Sequence, residues 1–504
     1  MNYKSQESFS IVKAILFLIL SAMQIALYVF IVRAVVGAWQ GSAVALLALA
    51  AVFIINFVPA AVSIAMRQTN HSVKLSWLAF VLLFPLVGSL WHEVFGNGIL
   101  AGRSRSAYRS QIDKNPSFLE QNPKVLEDLS AQNPIALGQA VAILSTSGFP
   151  ALKNTRTALF PSGNDFLRIL VDELKKAKKF IFIECGALSM GVVFGEIFSI
   201  LEAKAQEELE IKVIYDKRAS SSHLPRGFKQ SCQGVGISCH GFGAFCAERN
   251  NRMMIVIDGN VAFSSTISSL SDELLRQEAT TFVLRGDAVW SCSVLFMNMW
   301  DALSRTNSDY APYHPTLSYL EEHSYVAVFG DSPANETHPV RSAYLKMISS
   351  AQSFVYIQAP SLETDMLLDQ ALRLAASSGV DVRIVTAAPM AGVIAGQRTR
   401  ASYMRLLESG VKIYETGEAL NSKTLICDDA SCLITTANPD YTSLLRNHEF
   451  AVWIAEDETV FEVRNEFLTL INDAREITSK SWRKHTKGLR RVWYAVLRAL
   501  APII

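Results

Sequence analysis

The chain has 504 residues, 50% hydrophobic and 18% charged, which is enough for two or three domains and richer in apolar residues than an ordinary water-soluble protein. Its 47 Lys and Arg balance 46 Asp and Glu to a net charge of +1, which removes any global reason to expect a polyanion partner such as nucleic acid. The seven cysteines (Cys185, Cys232, Cys239, Cys246, Cys292, Cys427, Cys432) are odd in number, scattered and without a C-x-x-C pair. That excludes a disulfide framework and a zinc site, so they read as reduced core residues, and neither a metal nor another cofactor is expected.

The apolar excess is local to residues 1–96, which read as a membrane anchor of about three transmembrane helices. Ala14 to Val32 is bracketed by Lys13 and Arg33, Ala43 to Met66 carries no charge, and Leu75 to Leu90 contains Pro85. A cleaved signal peptide is the alternative for the first run, but no convincing small-residue cleavage site follows it. Charge does not orient the anchor. Lys4, Lys13, Arg67 and Lys74 would face Arg33, Arg103, Arg105 and Arg109 across the bilayer. Residues 97–145 carry no sustained apolar period and read as a linker with short helices.

From Phe166 the pattern changes to a helix (FLRILVDELKKAKK), an apolar strand ending at Glu184, a second helix, and the strand IKVIYD ending at Asp216. The order recurs as the helix AYLKMISSAQS, the strand FVYIQ, the helix LLDQALRLAASSG, the strand VDVRIVT, the helix YMRLLESG and the strand VKIYE. The fold class expected is therefore α/β, two halves over residues 146–315 and 316–478, each a sheet flanked by helices, packed about a pseudo-dyad. The tail, residues 479–504, mixes Lys, Arg, Trp, Tyr and Leu at helical spacing and reads as a basic amphipathic helix at the bilayer surface, a packed terminal helix being the alternative.

At matching places in the halves lie Asn250 to Ser268 and Leu420 to Asp440, each a strand, an Asp-Gly or Asp-Asp turn, and a second strand ending in hydroxyl residues. Together they resemble the H-x-K-x4-D-x6-G-S-x-N signature of the phospholipase D superfamily. The segments VKLSWLAFVLLFPLVGSLWHEVFGN, RIVTAAPM, GVKIYETGEAL and NPDYTSLLRNHEF resemble bacterial cardiolipin synthases. The resemblance implies a two-half phospholipase-D-like body in the cytoplasm, which suits unpaired cysteines, on a multi-pass anchor in the cell membrane. It also implies an activity, the transfer of a phosphatidyl group to make cardiolipin from phosphatidylglycerol. One signature histidine would attack phosphorus and the other would shuttle the proton of the alcohol, while lysines hold phosphate oxygens.

This sequence departs from that signature at its reactive groups. In the first copy Asn251 stands for histidine and Met253 for lysine, only Asp258 survives, and Ser265, Thr266 and Ser268 end the hairpin. In the second copy Asn421 stands for histidine, whereas Lys423, Asp428 and Asn438 remain, with Thr435 and Thr436 where Gly and Ser are usual. A carboxamide is neither a nucleophile nor a titrating group near neutrality. Loss of a general acid costs roughly 10² to 10⁴ in rate and of a covalent nucleophile on the order of 10⁶. No catalytic set is intact, so phosphohistidine catalysis is expected to fail.

None of the nine histidines lies in either signature, and His448, the nearest, precedes a strand residue that faces the other way. What remains is binding chemistry, with Asn251, Asn421, Lys423, Thr436 and Asn438 as candidate phosphate-binding residues. The expected partners are an anionic phospholipid (phosphatidylglycerol or cardiolipin), the membrane, and an active synthase or a second copy of the chain. Three functions compete: a lipid-binding pseudoenzyme, an active synthase using substitute groups, and a purely structural membrane protein.

Overall fold

A computed structural model of the chain describes residues 42–66, 71–92, 99–243, 248–316, 322–388, 394–417 and 420–501, with 24, 26, 29, 30 and 33 besides. It forms two compact units, Met1–Arg103 with Ala499–Ile504, and Ser104–Arg498.

In the first unit the helices are Ser42–Met66, His71–Leu83 and Pro85–Trp91. The third apolar run is thus not one helix. Proline has no amide hydrogen and opens a new helix at Pro85, while Phe84 leaves helical geometry at φ −131° and ψ 72°. Ile64, Trp77 and Val81 make a small core, with the Trp77 ring edge-on to His92 at 4.9 Å. The expected first span, Ala14 to Val32, lies almost wholly outside the described residues. Among the described residues no helix is long and apolar enough to cross a membrane.

The second unit carries two sheets that repeat one plan. The first half contributes β1 (Thr155–Phe160), β2 (Phe180–Cys185), β3 (Ala187–Leu188), β4 (Glu210–Asp216), β5 (Ser238–Phe242), β6 (Met254–Ile257), β7 (Val261–Ser265), β8 (Ser269–Leu270) and β9 (Thr281–Gly286). The second contributes β10 (Tyr325–Asp331), β11 (Phe354–Gln358), β12 (Asp381–Ala387), β13 (Lys412–Thr416), β14 (Thr424–Cys427), β15 (Ser431–Thr435), β16 (Glu449–Ala455) and β17 (Arg475–Ile477). Their orders are β1-β9-β7-β6-β2-β4-β5 and β10-β16-β15-β14-β11-β12-β13-β17, with β3 and β8 a separate pair. Strand for strand the sheets correspond, and β17 is an added edge.

Each sheet is parallel at one side (β2-β4-β5, β11-β12-β13) and antiparallel at the other. The run FIFI is apolar at every position and is followed by the buried Glu184, because β2 is covered on both faces. Ile181 and Ile183 meet Phe166, Leu170 and Leu174 of the helix Gly163–Lys176 in one core. Phe180 and Phe182 face a second, larger core that also takes in Val328, Ile357 and Trp453 of the other sheet. The buried helix Val289–Ser304 lies in that shared core, where Phe296 stacks on Phe182 at 4.5 Å.

Two expected boundaries shift. Short helices do follow residue 97, but Pro123–Gln132 and Pro134–Ser147 belong to the body rather than to a linker. Ala136, Ala140 and Ile143 enter the large core, and the Gln139 carboxamide oxygen accepts from Ser431 Oγ at 2.6 Å and Trp453 Nε1 at 2.9 Å. The tail is two helices, Ser479–His485 and Leu489–Leu500, separated at Gly488 with φ +60°. Trp482 and Leu497 are buried and Tyr494 stacks on Trp482, whereas Leu489, Val492, Trp493 and Val496 are exposed. Six cysteines are free and buried, as their scatter suggested; Cys246 lies outside the described residues.

Candidate functional site

Both signature hairpins turn through left-handed residues, Asp258 and Gly259 in one and Asp428 and Asp429 in the other. Each turn is closed by one backbone bond across the two left-handed residues, Asn260 N–H to the Ile257 carbonyl at 3.1 Å and Ala430 N–H to the Cys427 carbonyl at 2.9 Å, a mirror-image turn that suits the twist of paired strands. The two aspartates that match the signature brace these turns. Asp258 accepts backbone N–H bonds from Lys178 (2.9 Å), Lys179 (2.7 Å) and Phe180 (3.0 Å), and so fixes the start of β2. Asp428 does the same for β11, through Gln352 (2.6 Å), Ser353 (2.8 Å) and Phe354 (2.7 Å). Neither lies at the strand end that carries the asparagines.

The asparagines precede β6 and β14 at the opposite end, beside the carboxyl ends of β2 and β11, and each is tied to the other half. Asn251 N–H donates to the His448 carbonyl at 2.8 Å, and Asn421 N–H donates to the Glu278 carbonyl at 2.8 Å. These matched bonds align Glu449 with Ala279 and Asn447 with Gln277. The side chains differ accordingly. Asn251 Nδ2 donates to Glu449 Oε1 at 2.8 Å, while Asn421 Nδ2 donates to Gln277 Oε1.

Glu449 is the centre of this arrangement and carries no mark in the sequence beyond its place near the end of the segment NPDYTSLLRNHEF. It is fully buried, and burial pushes its carboxyl up to about 7 against the opposing pull of Thr436, Asn251, Asn447 and Lys423. Thr436 Oγ1 donates to Glu449 Oε2 at 2.6 Å and accepts from Phe450 N–H at 2.9 Å. The Thr436 hydroxyl is thus engaged within the protein and not aimed at a ligand.

Lys423 reaches across the halves. Its Nζ donates to the carbonyls of Thr266 (2.7 Å) and Asn421 (3.2 Å), and burial brings its pKa down to about 8 although Glu449 and Asp440 favour the charged form. Asn438 stands just after β15, and its buried Oδ1 has no hydrogen-bond partner. The first copy holds no second ammonium. Met253 is fully buried in the core that contains Ile255 and Phe263.

His448 faces away from Glu449, as strand alternation requires. Its ring lies edge-on to Tyr108 at 5.1 Å and Phe242 at 4.8 Å, and its Nε2 is 3.6 Å from Glu248. Beside it Arg252, at the variable position of the first signature, is fully buried. Its guanidinium donates to Tyr108 Oη (2.7 Å) and to the carbonyls of Glu449 (3.2 Å) and Asp331 (3.3 Å), with Glu184 at 3.8 Å. No sequence pattern marked Arg252 or Glu184, because their partners are remote in the chain. Among the described residues no cluster of His, Cys, Asp and Glu could hold a metal ion.

Two like halves, each carrying one hairpin whose asparagine lies at the carboxyl end of the parallel strands of its sheet, make up the body. Residues 344–471 match the family model for the cardiolipin synthase, PLD-like domain. Over most of its length the chain is similar to cardiolipin synthases. It is 25% identical over 485 residues to that of Listeria welshimeri, covering 90% of this chain and 98% of the other. It is 24% identical over 471 residues to cardiolipin synthase 1 of Bacillus anthracis, covering 88% and 91%. An uncharacterized protein of Streptococcus mutans is 28% identical over 448 residues, covering 85% and 96%. The solved phosphatidylserine synthase of Haemophilus influenzae has a similar fold, with a TM-score of 0.54 and 14% identity over 72% of this chain and 99% of that one. The likeness to cardiolipin synthases thus runs over most of both chains, and the family-model match falls in the second half.

Proposed function

We propose that the protein is a membrane-bound, cardiolipin-synthase-like pseudoenzyme that binds anionic phospholipid through its phosphate or partners an active synthase. The observation that carries this reading is the pairing of Asn251 with Glu449. The carboxylate that would orient an imidazole is present, and the group it holds is a carboxamide that can neither attack phosphorus nor carry a proton. Lys423 supplies a cation, and Asn421 and Asn438 supply amides within the same half, which supports retention of a phosphate group. A multi-pass anchor and a cytoplasmic body are part of this proposal.

The test uses the full chain in phosphatidylglycerol vesicles, with cardiolipin and glycerol measured against an Asn421→Ala control. No turnover above that control is expected. In parallel, native mass spectrometry of detergent-purified chain should show bound phosphatidylglycerol or cardiolipin, and Lys423→Met should lose it. Turnover well above the control sinks the pseudoenzyme reading, and equal lipid retention by Lys423→Met sinks the phosphate pocket.

A second reading, an active phosphatidyltransferase using substitute groups, is favoured by Glu449, a buried carboxyl that titrates at about 7. It requires product formation that Glu449→Gln abolishes.

A further inference from the structure

The two signature hairpins leave a symmetric feature around them that the phosphate chemistry does not use. The connections following β2 and β11 are equivalent in the two halves. Each doubles back beside the segment that follows the hydroxyl-bearing strand, β3 along β8 in one half and Glu363 beside Asp440 in the other. Each then starts a helix, Val192–Gln206 or Met366–Ser377. At these two starts large apolar side chains stand in solvent: Met190 at 44% and Val192 at 70% exposure in one half, Met366 at 57% and Leu367 at 43% in the other.

Both tips lie at the strand end that carries Asn251 and Asn421. Gly186, between β2 and the first tip, is so close to the site that a Cβ there would come within 2.8 Å of the Asn250 carbonyl and 2.9 Å of Ser268. Paired apolar tips at one end of the two sheets are a costly arrangement in water, and they recur at equivalent helix starts in both halves.

The charges around the tips indicate what they meet. Carboxylates at the tips are engaged within the protein. Asp272 accepts from Val193 N–H at 3.0 Å, Asp365 from Leu368 N–H at 2.8 Å, and Glu363 from Arg398 at 2.6 Å. Lys217 and Arg226, which follow the neighbouring parallel strand β4 at the same end, are exposed. The tail continues this surface. Trp493 Nε1 donates to Gln397 Oε1 at 2.7 Å, and Gln397 lies in the first turn of the helix Ile394–Glu408, which follows the end of β12. From there Leu489, Val492, Trp493 and Val496 extend the exposed apolar surface, with Arg490, Arg491 and Arg498 on the other side of the helix.

The geometry points to a bilayer-docking face: Met190 and Val192, Met366 and Leu367, and the stripe of the tail helix insert at the surface of an anionic phospholipid membrane, so that the strand ends carrying Asn251 and Asn421 face the headgroups. Apolar tips interleaved with exposed cations suit the boundary between acyl chains and anionic headgroups. The surface would serve any lipid-phosphate pocket beneath it, but its existence does not depend on that pocket.

The experiment reads depth directly. In full-length protein with Cys246→Ser, single cysteines at Val192→Cys and Met366→Cys carry an environment-sensitive fluorophore, with Lys178→Cys and Gln352→Cys at the opposite strand ends as controls. The chain is reconstituted in phosphatidylglycerol-containing vesicles bearing nitroxide-labelled acyl chains. Labels at Val192 and Met366 should be quenched several-fold more strongly than the controls, and should be protected from aqueous iodide. Rim labels that iodide reaches and acyl nitroxides do not would overturn the proposal. Protection from both quenchers would also overturn it, by assigning the face to a protein partner. No step involves phosphate capture, so loss of lipid retention in Lys423→Met leaves this result untouched.

Discussion

At the scale of single residues, Glu449 is the group at the site whose pKa lies nearest neutrality. Its pKa rises from an ordinary 4.5 to about 7 in the folded protein, chiefly by burial. A raised folded pKa contributes stability that is complete below about 4.5 and is lost as pH rises through about 7. Glu449→Gln should therefore flatten the fall in stability between about pH 5 and about pH 8, measured by denaturant midpoints; an unchanged slope would show that the carboxyl is ordinary.

Met253 makes a different kind of claim. Asn251→His and Asn421→His, which give the hairpins the histidines of the signature they resemble, change residues at the half-to-half contact, whereas Met253→Lys forces an ammonium into a fully buried site. The lysine would be driven neutral at a cost of about 4 kcal/mol at pH 7. The double variant should fold like the parent. The triple variant should melt well below it and should make cardiolipin only if the core reopens around the new side chain, which thermal unfolding and cardiolipin production together would reveal.

At the scale of elements, the signature aspartates are anchors of strands. Asp428→Ala removes three charge-assisted acceptor contacts at the start of β11 and leaves alanine at φ +52°. A loss of about 2–4 kcal/mol is expected, with lipid retention per folded molecule unchanged. Asp258→Ala should behave alike at β2. If either variant lost lipid binding while keeping its stability, the aspartate would belong to the site. Local chemistry also explains why the third apolar run reads as one helix and forms two. Composition made Leu75 to Leu90 continuous, but Pro85 lacks the amide that continuity needs.

At the scale of the whole molecule, the two halves of the body are joined by buried polar bonds as well as by a shared core. Arg252 bonds to the Glu449 and Asp331 carbonyls of the second half and to Tyr108 of the helix Ile99–Ile112, and lies 3.8 Å from Glu184 of its own half. Arg252→Met strands the Glu184 carboxylate in the interior and should cost about 3–5 kcal/mol. Adding Glu184→Gln should restore part of that loss. A double variant no more stable than the single one would mean that the bonds to Tyr108 and the carbonyls, and not the ion pair, carry the effect.

The sequence by itself determined the repeated order of helix and strand, the two hairpins and the absence of imidazole, because periodicity and residue chemistry are local properties of the chain. FIFIE and FVYIQ are strands at β2 and β11, and VDVRIVT and VKIYE are β12 and β13, as their apolar patterns require. Only the tertiary structure decided which residues surround Asn251 and Asn421. Glu449, Gln277 and the Thr266 carbonyl come from segments more than 140 residues away in the chain. It also decided that residues 104–147 join the body and that Met253 belongs to the core. Those outcomes depend on which surfaces meet across the two sheets, and burial against a distant partner leaves no periodic trace in the segment that is buried.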